Sequence, residues 1–270
     1  MRSPTAICRV IRRMRGGSQS QLVECSNGHH YVAKFRGNPQ GNRTLINEVI
    51  GSRLMSCLGI TVPKIDFLDL DCSTPGFEDL FFQIGNNRVR PHAGLHFGSQ
   101  CPANPDTTAF FDFLPKALLR KVANLDEFAT MFVLDRWLYL ADKRQAIFYR
   151  DRSIKGSVGY RACFVDHGMI FGGAAWEFLD TPFHALAFPD SIYSVLDMRT
   201  LAIAAVERIQ AISGVDIQLA LEEVPTTWFA PGDRECLERL LVRLEKRMSA
   251  LPSLISRHLD ALDKRLARAI

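Results

Sequence analysis

Two turn-marked breaks, Gly16-Gly17-Ser18 and Ser26-Asn27-Gly28, cut residues 5–35 into three short runs in which apolar and polar side chains roughly alternate. A period of two marks a half-buried strand, and Asn-Gly is the pair that most easily takes the positive φ angles of a tight hairpin. The spacing predicts strands over 6–14, 21–25 and 30–35. Two successive hairpins follow from it. The period then changes: Ile46, Val49, Ile50, Leu54, Cys57 and Leu58 recur at spacings of three and four, with Gly59 behind them as a stop. An amphipathic helix over 42–58 is the expectation.

Residues 60–70 read as an extended return, and 71–106, rich in Gly, Pro, Asn, Cys and His, as a loop-dominated stretch around Pro75-Gly76. Beyond Pro115, Asn124 followed three positions later by Glu127 has the form of a capping box and predicts a helix over 125–140. Extended runs at 146–149 and 160–165 flank a polar turn at 151–159 and predict another hairpin. The remainder is helical in period, with one helix carrying Leu237, Leu240, Leu241 and Leu244 on a face and a separate one over 251–270 with Pro252 in its first turn. The fold class expected is α+β and two-lobed. A small antiparallel sheet plus helix occupies 1–70, an irregular insertion 71–114, and a mainly helical lobe 115–270.

Composition narrows the function classes. With 47% hydrophobic and 23% charged residues the chain has the make-up of a globular protein with its own core. Apolar runs are interrupted by charge well short of the roughly 18 residues a membrane span needs. Arg2, Arg9, Arg12, Arg13 and Arg15 leave no apolar secretory stretch, so a cytoplasmic protein without a membrane partner is expected. Seven cysteines, none closer to another than fifteen positions, speak against a disulfide scaffold and against a C-x-x-C zinc site. The net charge of +4 conceals a basic start: residues 1–43 hold eight Lys/Arg against Glu24 alone. Exposed aromatics that would stack bases are not interleaved with these arginines, which favours steering of a phosphate over direct binding of nucleic acid.

Five features bear on chemistry. Gly16, Gly17, Ser18 and Gln19 form a turn whose backbone N–H groups can approach phosphate oxygens closely, since glycine has no side chain in the way. Lys34 lies in the apolar strand Tyr31-Val32-Ala33-Lys34-Phe35 and needs a counter-charge. Glu48 is the only acid between Glu24 and Asp66 and is its natural partner. Asp142 stands before the 146–165 hairpin and Asp166 directly after it, so both carboxylates can emerge at one edge. Phosphoryl transfer needs one carboxylate to orient the attacking hydroxyl and another to hold a divalent cation against the phosphates.

Taken in order, Gly16-Gly17-Ser18-Gln19, Val32-Ala33-Lys34-Phe35, Gly37-Asn38-Pro39-Gln40-Gly41, Asn47-Glu48, Asp142-x-Arg144-Gln145 and Asp166-His167-Gly168 resemble the HipA-like serine/threonine kinase family, in particular its short stand-alone members. The resemblance covers residues 5 to about 175. It implies a bilobed protein-kinase-like fold, ATP and magnesium as cofactors, and transfer of the γ-phosphate to a protein hydroxyl. Carried over by position, Gly16, Gly17, Ser18, Gln19, Lys34 and Glu48 would serve the nucleotide, Asp142 would be the catalytic base and Asp166 a magnesium ligand. Five residues after the base, where kinases carry a metal-ligating asparagine, stands Ile147. Gln145, on the same face of the extended segment, holds the nearest acceptor oxygen and is the expected substitute. Two other readings remain open beside the protein kinase: a kinase acting on a small hydroxylated molecule, and an ATP-binding pseudokinase that works through protein contacts.

Overall fold

The computed structural model describes residues 3–151, 159–179 and 188–268. The alternating segment forms β1 (Thr5–Arg13), β2 (Gln21–Cys25) and β3 (His30–Lys34), joined as antiparallel hairpins. Helix α1 (Asn42–Cys57) follows and stops as the sequence predicts. Gly59 takes φ +68°, its N–H donates to the Ser56 carbonyl at 2.9 Å, and the Ile60 N–H reaches back to Met55 at 3.0 Å. This pair of reversed bonds satisfies carbonyls the last turn would leave free.

α1 is not amphipathic in place. Asn47 and Glu48 are as buried as Leu45 and Ile46, because the chain from His167 onward, past the 145–165 hairpin, covers the polar face.

The sheet differs from expectation in a way that explains the misread stretch after residue 70. Strands β4 (Ile65–Leu70), β5 (Phe82–Ile84), β6 (Asn87–Val89) and β7 (Gly94–Gln100) follow α1, and β7 inserts between β3 and β4, antiparallel to both. A parallel contact of β1 with β4 closes the order β1-β2-β3-β7-β4 into a barrel. The small sheet is therefore neither open nor purely antiparallel, and residues 71–114 supply one of its staves. The strand signal of β7 is masked by its glycines, and one of these has a packing reason: a Cβ on Gly98 would lie 2.5 Å from the Leu68 side chain. Leu68, Val23, Tyr31, Ala33, Phe35 and Phe82 fill the barrel.

A second body is built from β8 (Phe110–Phe111), α2 (Lys116–Leu119), α3 (Glu127–Trp137), β9 (Gln145–Asp151) and β10 (Gly159–Val165), with sheet order β10-β9-β8. The turn foreseen at 151–159 falls almost wholly outside the described residues. The capping box is not formed. Asn124 exchanges two 2.9 Å hydrogen bonds with the Ala162 backbone, and the Glu127 carboxylate accepts from Thr61 N at 2.7 Å and Oγ1 at 2.9 Å. Both polar residues thus tie α3 to neighbouring segments instead of capping it.

Helices α4 (Asp190–Tyr193), α5 (Met198–Gln210), α6 (Gly214–Glu222) and α7 (Asp233–Ala267) complete the chain. α7 is one helix of 35 residues with Pro252 in its interior, where two helices were expected. Proline removes one N–H and leaves the carbonyl four residues back without a helical donor. That carbonyl, on Met248, accepts from Gln210 Nε2 of α5 at 3.1 Å. Lateral support from α5 lets the helix run on.

The apolar side chains of α1, among them Leu45, Ile46, Val49 and Ile50, belong to the core shared with α3, β9, β10 and the C-terminal helices, separate from the core inside the barrel.

Candidate active site

β3 ends on Lys34, whose side chain enters the space between the barrel and the second body. Its ammonium is in contact with Glu48 Oε1 on α1 and lies 2.8 Å from Asp166 Oδ1, just past β10. Burial alone would lower the lysine pKa, but the charges of Glu48 and Asp166 outweigh it and raise the value above the ordinary one. Lys34 is a fixed cation. An ammonium has three donors, and two are aimed at these carboxylates, so the third is available to a phosphate oxygen.

The β9–β10 register sets Gln145 opposite Val165. Asp142, shortly before Gln145, and Asp166, immediately after Val165, therefore stand at the same end of the hairpin. Asp142 is exposed and accepts the Lys143 N–H at 2.6 Å. Gln145 Nε2 donates to Asp166 Oδ2 at 3.1 Å, so the amide nitrogen, and not its oxygen, faces the carboxylate. The Asp166 side chain is 34% exposed, in contrast to the 3% of Glu48. Of the two carboxylates on Lys34, Asp166 is the one open to a ligand.

Asp166 sits at φ +62°, in the left-handed region, a conformation that costs an aspartate energy and persists only where neighbours enforce it. Arg144 is one enforcer. Wholly buried, it pairs with Asp135 of α3 at 2.6 Å, and its Nη1 lies 3.0 Å from the Asp166 carbonyl and 2.7 Å from His167 Nδ1. Burial and the adjacent guanidinium lower the His167 pKa well below its usual value, so the ring is neutral and Nδ1 accepts. α1 supplies the rest: Glu48 Oε2 accepts from His167 N at 2.9 Å and Oε1 from Gly168 N at 3.0 Å. Asn47 Nδ2 lies 2.8–3.1 Å from the carbonyls of Gly168, Ile170 and Gly173, and its Oδ1 accepts from Trp176 Nε1 at 2.8 Å. Gly51 lets the two approach, since a Cβ there would lie 2.8 Å from the His167 Cβ.

The glycine turn is present between β1 and β2, with Gly16 at φ +120° and both glycines exposed. Gln19 is differently employed. Its N–H bonds the Gly16 carbonyl at 3.2 Å, and its side chain clamps the Gln83 backbone with bonds of 2.7 Å and 2.8 Å. It braces the turn against β5 and leaves Gly16, Gly17 and Ser18 as the part of the foreseen set not tied in this way. Ser18 is buried. Gln40 lies against the turn, 3.0 Å from where a Gly17 Cβ would stand.

Arg144 and Asn47, among the quoted motif residues, and Gly51 outside them have no structural role readable from the sequence. Arg144 offered the only signal, a lone arginine between Asp142 and an apolar strand; its partners are 9 to 23 positions away.

A family model described as HipA-like kinase matches residues 7–252. No curated protein is matched by the chain. Among solved structures, a proinflammatory kinase of Helicobacter pylori, CtkA, superposes with a TM-score of 0.57 at 14% identity, over 95% of this chain and 99% of that one. Hydra Fam20 with sugar gives 0.55 at 11% identity over 92% and 86%, and the Golgi casein kinase with Mn/ADP bound 0.53 at 12% over 93% and 74%. At such identities the likeness is one of fold.

Proposed function

The chain belongs to the HipA-like kinase family, and on that premise we propose that it transfers the γ-phosphoryl group of ATP, with magnesium, to a serine or threonine hydroxyl of a protein. The observation that carries the reading is Lys34 held between Glu48 and Asp166, at the hairpin end where Asp142 also stands. A buried permanent cation beside an accessible carboxylate suits a nucleotide phosphate and its cation, whereas a purely structural ion pair needs no accessible partner.

In this reading Lys34 holds phosphate oxygens and Glu48 keeps the lysine in place. Asp142 orients the acceptor hydroxyl and takes its proton as the new O–P bond forms and the bond to the β–γ bridging oxygen breaks, the electron pair leaving with ADP. Asp166 and Gln145 would hold magnesium, which would neutralise phosphate charge. The donor chemistry fits, because the Gln145 side chain is exposed and turning its amide presents an oxygen beside the Asp166 carboxylate. Gly16, Gly17 and Ser18 cover the phosphates. The barrel, with its own core, acts as the smaller of two lobes of a cytoplasmic protein in this reading; separately, no helix among the described residues is long and apolar enough to cross a membrane.

Ile147 favours a second reading, a nucleotide-binding pseudokinase, since the position has no metal ligand. Calorimetry of ATP binding with and without magnesium, together with γ-labelled ATP, separates the two. Asp142→Asn is expected to bind Mg-ATP like the parent and to lose transfer, and Asp166→Asn to lose the magnesium-dependent part of binding as well. Unchanged transfer in both variants would remove these aspartates from the site.

A further inference from the structure

Asp142, Lys143 and Gln145 form one rim of a recess of about 460 Å³ whose opposite walls are Phe113, Leu119, Phe188 and Ile192. Ile147, the residue in the usual asparagine position, lines the same recess. We infer that this recess seats an extended polypeptide acceptor, holding a bulky apolar side chain next to the Ser/Thr hydroxyl presented to Asp142. The inference rests on the phosphoryl-transfer reading above and adds the class of sequence that the site accepts.

Three observations favour a polypeptide over a small metabolite. First, β9 has β10 along its whole length on one side, while β8 pairs only with Phe148 and Tyr149 on the other. The edge over residues 145–147 is thus without a strand partner among the described residues, and it faces the recess. An open edge beside an apolar pocket is the arrangement by which extended chains are captured, main chain giving affinity and alternate side chains specificity.

Second, the walls are apolar and the charges stand at the mouth. Phe113 is 60% exposed, an aromatic left uncovered in the recess that the proposed base also lines. A metabolite rich in hydroxyls needs several convergent polar groups to fix it. Here polar groups line the Asp142 side, and the far wall offers carbon apart from Ser191. Third, Asp112 at the rim has no ion-pair partner among the described residues, and because the charge of Arg144, which also lines the recess, is taken up by Asp135, Asp112 and Asp142 leave the mouth acidic despite Lys143. A basic residue beside the apolar one complements that rim. Ile147 then has a positive role: an asparagine there would place a polar amide in the wall where the acceptor's apolar side chain packs.

The test uses the full chain with γ-labelled ATP and three serine peptides identical except beside the serine, carrying Leu with Arg, Ala with Arg, or Leu with Glu. Turnover of ATP without acceptor is measured in parallel. The Leu-Arg peptide is expected to exceed the Ala-Arg peptide at least about tenfold in kcat/KM, mainly through KM, as for an apolar pocket that loses most of its occupant. Phe113→Ser, at an exposed position where folding is spared, should bring the Leu and Ala peptides near parity. Asp112→Lys should remove the preference for Arg over Glu while keeping that for Leu over Ala. Equal kcat/KM for the Leu and Ala peptides overturns the pocket and leaves phosphoryl transfer standing. So does labelling of free serine or other small hydroxylated compounds with no labelling of any peptide. ATP turnover and labelling both absent would sink the phosphoryl-transfer reading itself, and the acceptor pocket with it.

Discussion

Arg144 Nη1 lies 3.0 Å from the main-chain carbonyl of Asp166, and the other side of the same guanidinium is locked to Asp135 at 2.6 Å. One buried arginine thereby joins α3, the segment after Asp142 and the left-handed residue whose carboxylate meets Lys34. Arg144→Lys keeps the charge but loses the planar fork that reaches Asp135, the carbonyl and His167 together. The variant is expected to lose about 1–3 kcal/mol of stability and to require several-fold more magnesium for half-maximal transfer. Urea unfolding and a magnesium titration check the two effects. Loss of stability with an unchanged magnesium requirement would make Arg144 a strut and nothing more.

Lys34→Met leaves Glu48 buried at 2% exposure without its cation, although two backbone N–H groups still reach it. Breaking one side of a buried pair costs about 3–5 kcal/mol, largely through the stranded charge. Adding Glu48→Gln should therefore restore part of that stability while ATP binding remains lost. A double-mutant cycle by denaturant unfolding measures the coupling. Additive losses would mean that the two side chains do not depend on one another.

Gln145→Ala removes an exposed side chain, so its stability should stay within about 0.5 kcal/mol of the parent. The magnesium concentration needed for transfer should rise several-fold, because Asp166 alone leaves more positions on the cation to water. A superimposable magnesium titration would exclude Gln145 as a ligand and lend weight to the pseudokinase reading.

Acid sensitivity has a candidate source away from the site. His96 is fully buried in β7, with Nδ1 accepting the Arg36 N–H at 2.9 Å, Nε2 donating to the His92 carbonyl at 3.0 Å and Phe35 edge-on at 4.8 Å. Burial, aided by the Arg36 charge and only partly offset by the hydrogen bond to the His92 carbonyl, lowers its pKa from 6.5 to about 3. The unfolded chain then takes up a proton below pH 6.5 that the folded one refuses. Stability is full above that value and falls as the pH drops towards the folded pKa, by about 2 kcal/mol between pH 6.5 and 5. His258, lowered to about 4, and His167 add to the slope. His96→Asn should give a shallower decline between pH 7 and 5 in urea titrations; an identical slope would clear this histidine.

Where local pattern decides conformation, the sequence is a good guide. The hairpins at 5–35 and 145–165 and the stop at Gly59 are written in period and turn residues, and the Lys34–Glu48 pairing in the scarcity of acids nearby. Where distant partners decide, it is mute. β7 carries Gly98 to make room for Leu68, Asn124 and Glu127 are drawn to Ala162 and Thr61, and Pro252 survives inside α7 beside Gln210. Gln19 shows the same limit within the candidate site, since nothing near it announces Gln83.

The side chains of α1 lie in the larger core, and Asn47 and Glu48 grip the segment from His167 to Trp176. Helix and segment are in effect one casting, which cannot swivel at the Glu48 end without tearing six hydrogen bonds and a slab of packed apolar side chains. Lys34 rides on the other piece. A displacement of β3 relative to that casting would draw the lysine away from both carboxylates at once while Glu48 and Asp166 keep their stations.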